Sequence, residues 1–286
     1  MKWKMECEEL SPEGKRRALC VAFGELATSS FRGEKLKPTI ASLFFLIVLL
    51  IFSFSKRSEG IERIEKKKTT MKKTIHDARL YSILDLGYVQ PHDVERVAEE
   101  LCEGGAGILQ LRAKSLDEFE VEALGQRIEP ITRNAGVPLI INDFPELVPT
   151  IGAQGAHLGQ GDRTIADARW RAGRALGDEV PPVLVGKSTH SVEQAIAAQA
   201  EGADYIGFGP LFATPTKPGR PAIGLEDVRR VHELVSIPIF CIGGIKLENL
   251  DTVLAAGARR VVIVSGLLQA ADVVATCREA CARLAG

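Results

Sequence analysis

From Arg79 onward the chain alternates two apolar patterns, short unbroken runs rich in Val, Ile and Leu and longer stretches whose apolar residues recur every three or four positions. The first suits strands buried on both faces of a parallel sheet, the second amphipathic helices. Strands are predicted at 80–86, 108–112, 137–141, 155–158, 183–186, 204–208, 238–242 and 260–264. Helices are predicted at 92–103, 146–151, 165–176, 191–200, 226–234, 247–256 and 267–284. A further helix follows the second strand. There Ser115 and Glu118 form a capping-box pattern, and Phe119, Leu124 and Ile128 supply the apolar side.

About eight strand–helix units in roughly 210 residues predict an α/β fold, a single (β/α)8 TIM barrel. A doubly wound sheet would want G-x-G-x-x-G after its first strand, where Asp85, Leu86 and Gly87 stand instead. Gly-Ala pairs at Gly105, Gly152, Gly202 and Gly257 lead into strands and mark the repeating unit.

Residues 1–73 follow neither pattern, and we read them as a non-barrel N-terminal extension ahead of an enzyme domain at 74–286. Lysines and arginines flank one apolar run at 40–54. As a helix that run would span about 22 Å, against the ~30 Å of a bilayer's hydrocarbon core. The favoured reading places the native start at Met71 and leaves the upstream stretch dispensable. A membrane anchor through 40–54 and a disordered tail are the alternatives.

A hydrophobic content of 45%, an aromatic content of 6% and a formal charge of −1 lack the footprint of a duplex-nucleic-acid binder. The six cysteines form no CxxC pair, which points to reduced thiols and a cytoplasmic setting. A homo-oligomer is compatible with all of this.

In such a barrel, side chains at the C-terminal strand ends converge on one mouth. Gln110, Arg112 and Lys114 alternate at the end of strand two, and Asn142 and Asp143 end strand three. Asp162 follows strand four. Arg and Lys suit phosphoryl oxygens, and two carboxylates suit Mg²⁺, although turn capping explains an isolated Asp as well. Ser188 and His190 follow strand five; without a third carboxylate partner, Ser188 reads better as a phosphate-binding hydroxyl than as a nucleophile. The loop 207–224 offers Thr214, Thr216 and Lys217 among glycines and prolines. Gly243-Gly244-Ile245 and Val264-Ser265-Gly266 end strands seven and eight, where barrels often hold a phosphate on backbone N–H groups.

These segments resemble the thiamine-phosphate synthase family over nearly all of 78–286: QLRAK at 110–114, IND at 141–143, GAHLGQGD at 155–162, GKSTH at 186–190, GFGPLFATPTKPGRP at 207–221, GGI at 243–245 and VVIVSG at 261–266. The resemblance implies a transferase that joins hydroxymethylpyrimidine pyrophosphate to thiazole phosphate. It implies that Gln110, Arg112, Lys114, Asn142, Ser188 and Lys217 serve the pyrimidine substrate, with Arg112, Ser188 and Lys217 acting on the leaving pyrophosphate. It further implies Asp143 and Asp162 as Mg²⁺ ligands, Thr214 and Thr216 at the thiazole-phosphate end, and Gly244, Val264 and Ser265 on the thiazole phosphate. Ala113, Phe144-Pro145 and Lys187 depart from the pattern. Lys187 and the Ser265-Gly266-Leu267 end also resemble the sister thiazole tautomerases, which is the alternative activity; a non-catalytic, membrane-tethered thiamine-precursor binder is the alternative of another class.

Overall fold

The computed structural model describes residues 75–174, 183–214 and 221–286. Thr216, Lys217, the 40–54 run, Met71, and the predicted end of a helix at Leu176 lie outside the described residues.

Eight parallel strands close into a barrel in sequence order. They are β1 Leu80–Asp85, β2 Ile108–Arg112, β3 Leu139–Asn142, β4 Gly155–Leu158, β5 Leu184–Thr189, β6 Tyr205–Phe208, β7 Ile239–Cys241 and β8 Val261–Ile263. The helices between them are α1 Val94–Glu103, α2 Glu118–Ala135, α3 Val148–Ile151, α4 Ile165–Arg174, α5 Val192–Glu201, α6 Val228–Leu234, α7 Leu247–Ala255, α8 Ser265–Leu268 and α9 Val273–Ala285. The predicted barrel is therefore observed.

Strand alternation splits the buried residues into two cores. Leu80, Leu84, Leu109, Leu111, Ile141 and Val185 face outward and pack with the helices. Tyr81, Ile83, Ile108, Ile140, Leu184, Tyr205, Phe240 and Val262 fill the barrel interior. Tyr81, Tyr205 and Phe240 meet edge-on or tilted, with ring centroids 5.3 to 5.9 Å apart. That aromatic plug lets the mouth above it be polar without opening a pore.

Three local expectations are corrected. The capping box of α2 is formed by Asp117 and Glu120, whose side chains and backbone N–H groups bond reciprocally at 3.0 and 2.9 Å, two residues later than expected. The later start turns Phe119 outward, where it is 83% exposed, while Val121, Leu124 and Ile128 form the buried stripe. The final predicted helix is two helices, because Asp272 caps a fresh start by accepting from the Ala275 N–H at 2.8 Å. Among the described residues, no helix is long and apolar enough to cross a membrane. Cys241 and Cys277 are buried, and Cys102 and Cys281 half-buried, all as free thiols. Burial pushes the first two up to about 12, so they behave as inert core residues.

Candidate active site

One cavity opens at the C-terminal mouth and is lined by Gln110, Arg112, Asn142, Ser188, Thr214, Gly244, Val264 and Ser265. Eight residues singled out from six different strand ends thus share a single space. Lys114, Asp143 and Asp162 form a charged group beside it.

Arg112 ends β2 opposite its register partner Asp85, the last residue of β1. Its Nη1 donates to Asp85 Oδ2 at 2.6 Å, and the other Asp85 oxygen accepts the Gly87 N–H at 3.0 Å. Asp85 is only 2% exposed. A buried carboxylate with both oxygens engaged fixes the guanidinium fork in place. The sequence reading missed Asp85; its signal was an acidic residue ending an otherwise apolar strand.

Asp143 stands in a left-handed conformation with φ of 67°, and Phe144 N–H donates to Asn142 O at 3.0 Å around it. This is a positive-φ γ-turn, a strained arrangement in which Asp is among the better-tolerated residues. The turn brings the Asp143 carboxylate against Lys114 Nζ and next to Asp162. Burial raises the Asp143 carboxyl above its ordinary range, Lys114 opposes that rise, and the like charge of Asp162 adds to it. Asp162 is anchored by the Gly159 N–H at 2.5 Å. Arg163 beside it reaches both oxygens of Glu146 at 3.1 Å. Two neighbouring carboxylates in mutual repulsion are the electrostatic condition that a divalent cation relieves. Among the described residues, no group of three or more His, Cys, Asp or Glu gathers for a metal. A bare carboxylate pair fits Mg²⁺, which completes its shell with water and substrate phosphate, better than it fits zinc.

Ser188 meets a different histidine from the one its sequence neighbourhood suggests. His157 Nε2 lies 3.0 Å from Ser188 Oγ, whereas His190 Nδ1 turns to Gly209 O. Gln160 holds the Ser188 carbonyl at 2.5 Å. His157 and Gln160 both stand inside the GAHLGQGD segment, yet spacing alone gave neither a role. Lys187, the preceding residue on β5, points the other way: 9% exposed, it donates to Glu201 Oε2 at 2.8 Å, and Glu201 Oε1 accepts the Ile165 N–H at 2.9 Å. It ties β5 to the helix layer and does not line the cavity.

The far side of the mouth is mostly backbone. The Gly209–Pro210 peptide is cis, Leu211 N–H donates to Ile242 O at 2.9 Å and Phe212 N–H to Gly243 O at 3.0 Å, lacing the loop after β6 onto the end of β7. Gly243 and Gly244 have φ of 105° and 66°. A Cβ on Gly243 would stand 2.4 Å from Pro210 Cα. Asn249 Nδ2 holds Gly244 O at 2.9 Å. Val264 and Ser265 start α8 on the adjacent strand end.

A sequence profile of the family described as thiamine monophosphate synthase matches residues 80–267. The chain is 46% identical over 190 residues to the thiamine-phosphate synthase of Thermus thermophilus, covering 66% of this chain and 87% of that one. It is 39% identical over 206 residues to the thiamine-phosphate synthase of Chloroflexus aurantiacus, covering 72% and 92%. Among solved structures it is similar to the thiamine phosphate pyrophosphorylase of Pyrococcus furiosus, with a TM-score of 0.65 at 29% identity, over 75% of this chain and 98% of that chain. The barrel, the shared cavity at its mouth and these likenesses agree, and the chain belongs to the thiamine-phosphate synthase family.

Proposed function

We propose a division of labour for the transferase reaction that family membership assigns to this chain. The substrates are 4-amino-2-methyl-5-hydroxymethylpyrimidine pyrophosphate and 4-methyl-5-(2-phosphoethyl)thiazole, and the products are thiamine phosphate and pyrophosphate. Gln110, Arg112, Lys114, Asn142, Ser188 and Lys217 hold the pyrimidine substrate. Thr214 and Thr216 lie at the thiazole-phosphate end, and Gly244, Val264 and Ser265 take the thiazole phosphate. The observation that carries this reading is that Arg112, Asn142 and Ser188 share one cavity with Thr214, Gly244 and Ser265.

The pyrimidine C–O bond ionises to a ring-stabilised methylene cation, and the thiazole nitrogen then attacks that carbon. Arg112, fixed by Asp85, together with Lys114 and Lys217 stabilises the charge that grows on the departing pyrophosphate. No strong base is needed. Asp143 and Asp162 would hold Mg²⁺, which when bound supplies further positive charge to the leaving group. Lys187, one of the two features shared with the tautomerases, faces the helix layer, which weakens that alternative.

Residues 74–286 are the enzyme domain in this reading and 1–73 an extension. The free thiols support a reducing, cytoplasmic setting. The test is an assay of the full chain with both substrates. Thiamine phosphate should form with Mg²⁺ and stop on chelation; turnover indifferent to chelation rejects the metal, and isomerisation of a thiazole carboxylate phosphate without the pyrimidine substrate would favour the tautomerase.

A further inference from the structure

Along the floor of the cavity runs a chain of five hydrogen-bonded side chains. Gln110 Nε2 donates to Tyr81 Oη at 2.7 Å, and the Tyr81 and Tyr205 hydroxyls lie 3.1 Å apart. Tyr205 Oη is 3.3 Å from His157 Nδ1, and His157 Nε2 is 3.0 Å from Ser188 Oγ. All five line the cavity; Gln110, Tyr81, Tyr205 and His157 are buried, and Ser188 is half-buried.

The sequence makes this contact through a missing side chain. His157, Gly186 and Tyr205 are register partners on β4, β5 and β6, so His157 and Tyr205 are separated by two strand spacings, about 9.6 Å. Gly186 between them leaves the gap open. A Cβ there would stand 2.1 Å from Tyr205 Cζ.

Each hydroxyl carries one proton, and so does a neutral imidazole, so the protons of such a chain run in one direction. With the Gln110 amide donating to Tyr81, the continuous arrangement has Tyr81 donate to Tyr205 and Tyr205 to Nδ1. His157 must then carry its proton on Nε2 and donate to Ser188. The Ser188 proton is thereby released toward the cavity, and Gln110 presents its oxygen as an acceptor. In the opposite direction, Nδ1 carries the proton, Nε2 takes the Ser188 proton, and Ser188 has no donor left for an anion. Burial raises both phenols, so neither tyrosine gives up its proton. The choice of direction rests on the proposed reaction, in which the leaving pyrophosphate beside Ser188 requires a donor.

We propose that His157 is a positioning residue, held by Tyr81 and Tyr205 as the Nε2–H tautomer, so that Ser188 is a hydrogen-bond donor toward the leaving pyrophosphate. Ser188 is then an electrostatic group and not a nucleophile with a histidine base. The tautomer of a histidine is fixed by what its other nitrogen contacts, and here that partner is a phenol.

The test is long-range ¹H–¹⁵N correlation on full chain labelled at its five histidines, with the His157 signals identified by their loss in His157→Gln. Nδ1 should be unprotonated and Nε2 protonated; a protonated Nδ1 overturns the proposal. Kinetics give the second arm. Tyr205→Phe should lower kcat about tenfold with the KM for thiazole phosphate unchanged, in the range seen for removing an outer partner of a functional group. Combined with Ser188→Ala it should cost little more than Ser188→Ala alone, and additive losses overturn the coupling. If Tyr205→Phe does not fold, His157→Gln, which offers an N–H near the Nε2 position, should retain more activity than His157→Ala; equal losses count against a donor role. Formation of thiamine phosphate with Nδ1 protonated rejects the polarity alone. An Nε2–H tautomer in a chain that makes no thiamine phosphate supports the polarity and rejects the reaction.

Discussion

On the β1-to-β5 side of the mouth the functional atoms belong to charged side chains, each with an anchor: Arg112 on Asp85, Asp143 on Lys114, and Asp162 on a backbone N–H. On the β6-to-β8 side they belong mostly to the main chain, in a loop laced to β7 by backbone hydrogen bonds and closed by Gly243 and Gly244. A side-chain half fails when a charge is removed and tolerates small changes of shape. A backbone half loses little by truncation and fails when an atom is added where two main chains touch. The same barrel mouth therefore carries opposite mutational sensitivities, set by which atoms face the ligand.

Gly243→Ala should have the largest effect. Its methyl would overlap Pro210 Cα at 2.4 Å, and a φ of 105° is itself strained for alanine. The loop must shift by about an ångström, which costs roughly a hundredfold in kcat/KM. The loss should fall on thiazole phosphate more than on the pyrimidine substrate, and steady-state kinetics varying each substrate in turn would show it. Equal losses for both would erase the distinction between the halves.

Asp143→Asn probes the other half. Loss of one charge should lower kcat by about a hundredfold, the scale for removing one electrostatic stabiliser. Its melting temperature, measured with chelator present, should stay level or rise. Asn accepts the left-handed φ of 67° at least as well, and the repulsion with Asp162 disappears, while a half-exposed pair with Lys114 adds little. A clear fall in melting temperature would mean that the carboxylate is structural.

How legible each half was follows from the same distinction. The β-strands and the barrel could be read because eight apolar runs of fixed spacing admit few packings. Gln110, Arg112, Asn142 and Ser188 could be placed because charged or polar residues at strand ends have one mouth to face. The glycines of the second half could be recognised only by position, since a backbone donor leaves no mark of its own in the sequence. Partnerships were the hidden part. Ser188 had a histidine two residues away, yet strand geometry gave it His157, 31 positions earlier. Lys187, a departure from the family pattern beside Ser188, is turned by strand alternation to Glu201. Ser115 lost the cap of α2 to Asp117, whose carboxylate is the stronger acceptor and whose Glu120 completes the box.

Asp85→Asn would sharpen the account of the charged half. The amide keeps an acceptor for Arg112 while removing the charge, so the fold should survive and kcat should drop about tenfold, as for other residues that orient a functional group. The pyrimidine substrate's KM should rise with it, because a loosened guanidinium binds the ground state as well. Unchanged kinetics would show that Arg112 is placed by packing alone.

The smallest effect is expected at the opposite end of the barrel, where neither half reaches. His232, near the end of α6, is half-buried, and its Nε2 has no hydrogen-bond partner among the described residues. Burial first, and then the charges of Arg259 and Arg260, lower its pKa from 6.5 to about 4. The unfolded chain thus takes up this proton at a higher pH than the folded one. Stability that is complete above pH 6.5 should decline as the pH falls toward 4 and, for this group, change no further below that. Partial exposure reduces the effect through solvent screening. His232→Leu, which fills similar space without a titrating group, should show a flatter melting temperature between pH 6.5 and 4 than the parent chain, with kcat unchanged for both substrates. Parallel profiles for parent and variant would mean that the ring titrates alike in the folded and unfolded chains, and any change in kcat would show that the barrel's base communicates with its mouth.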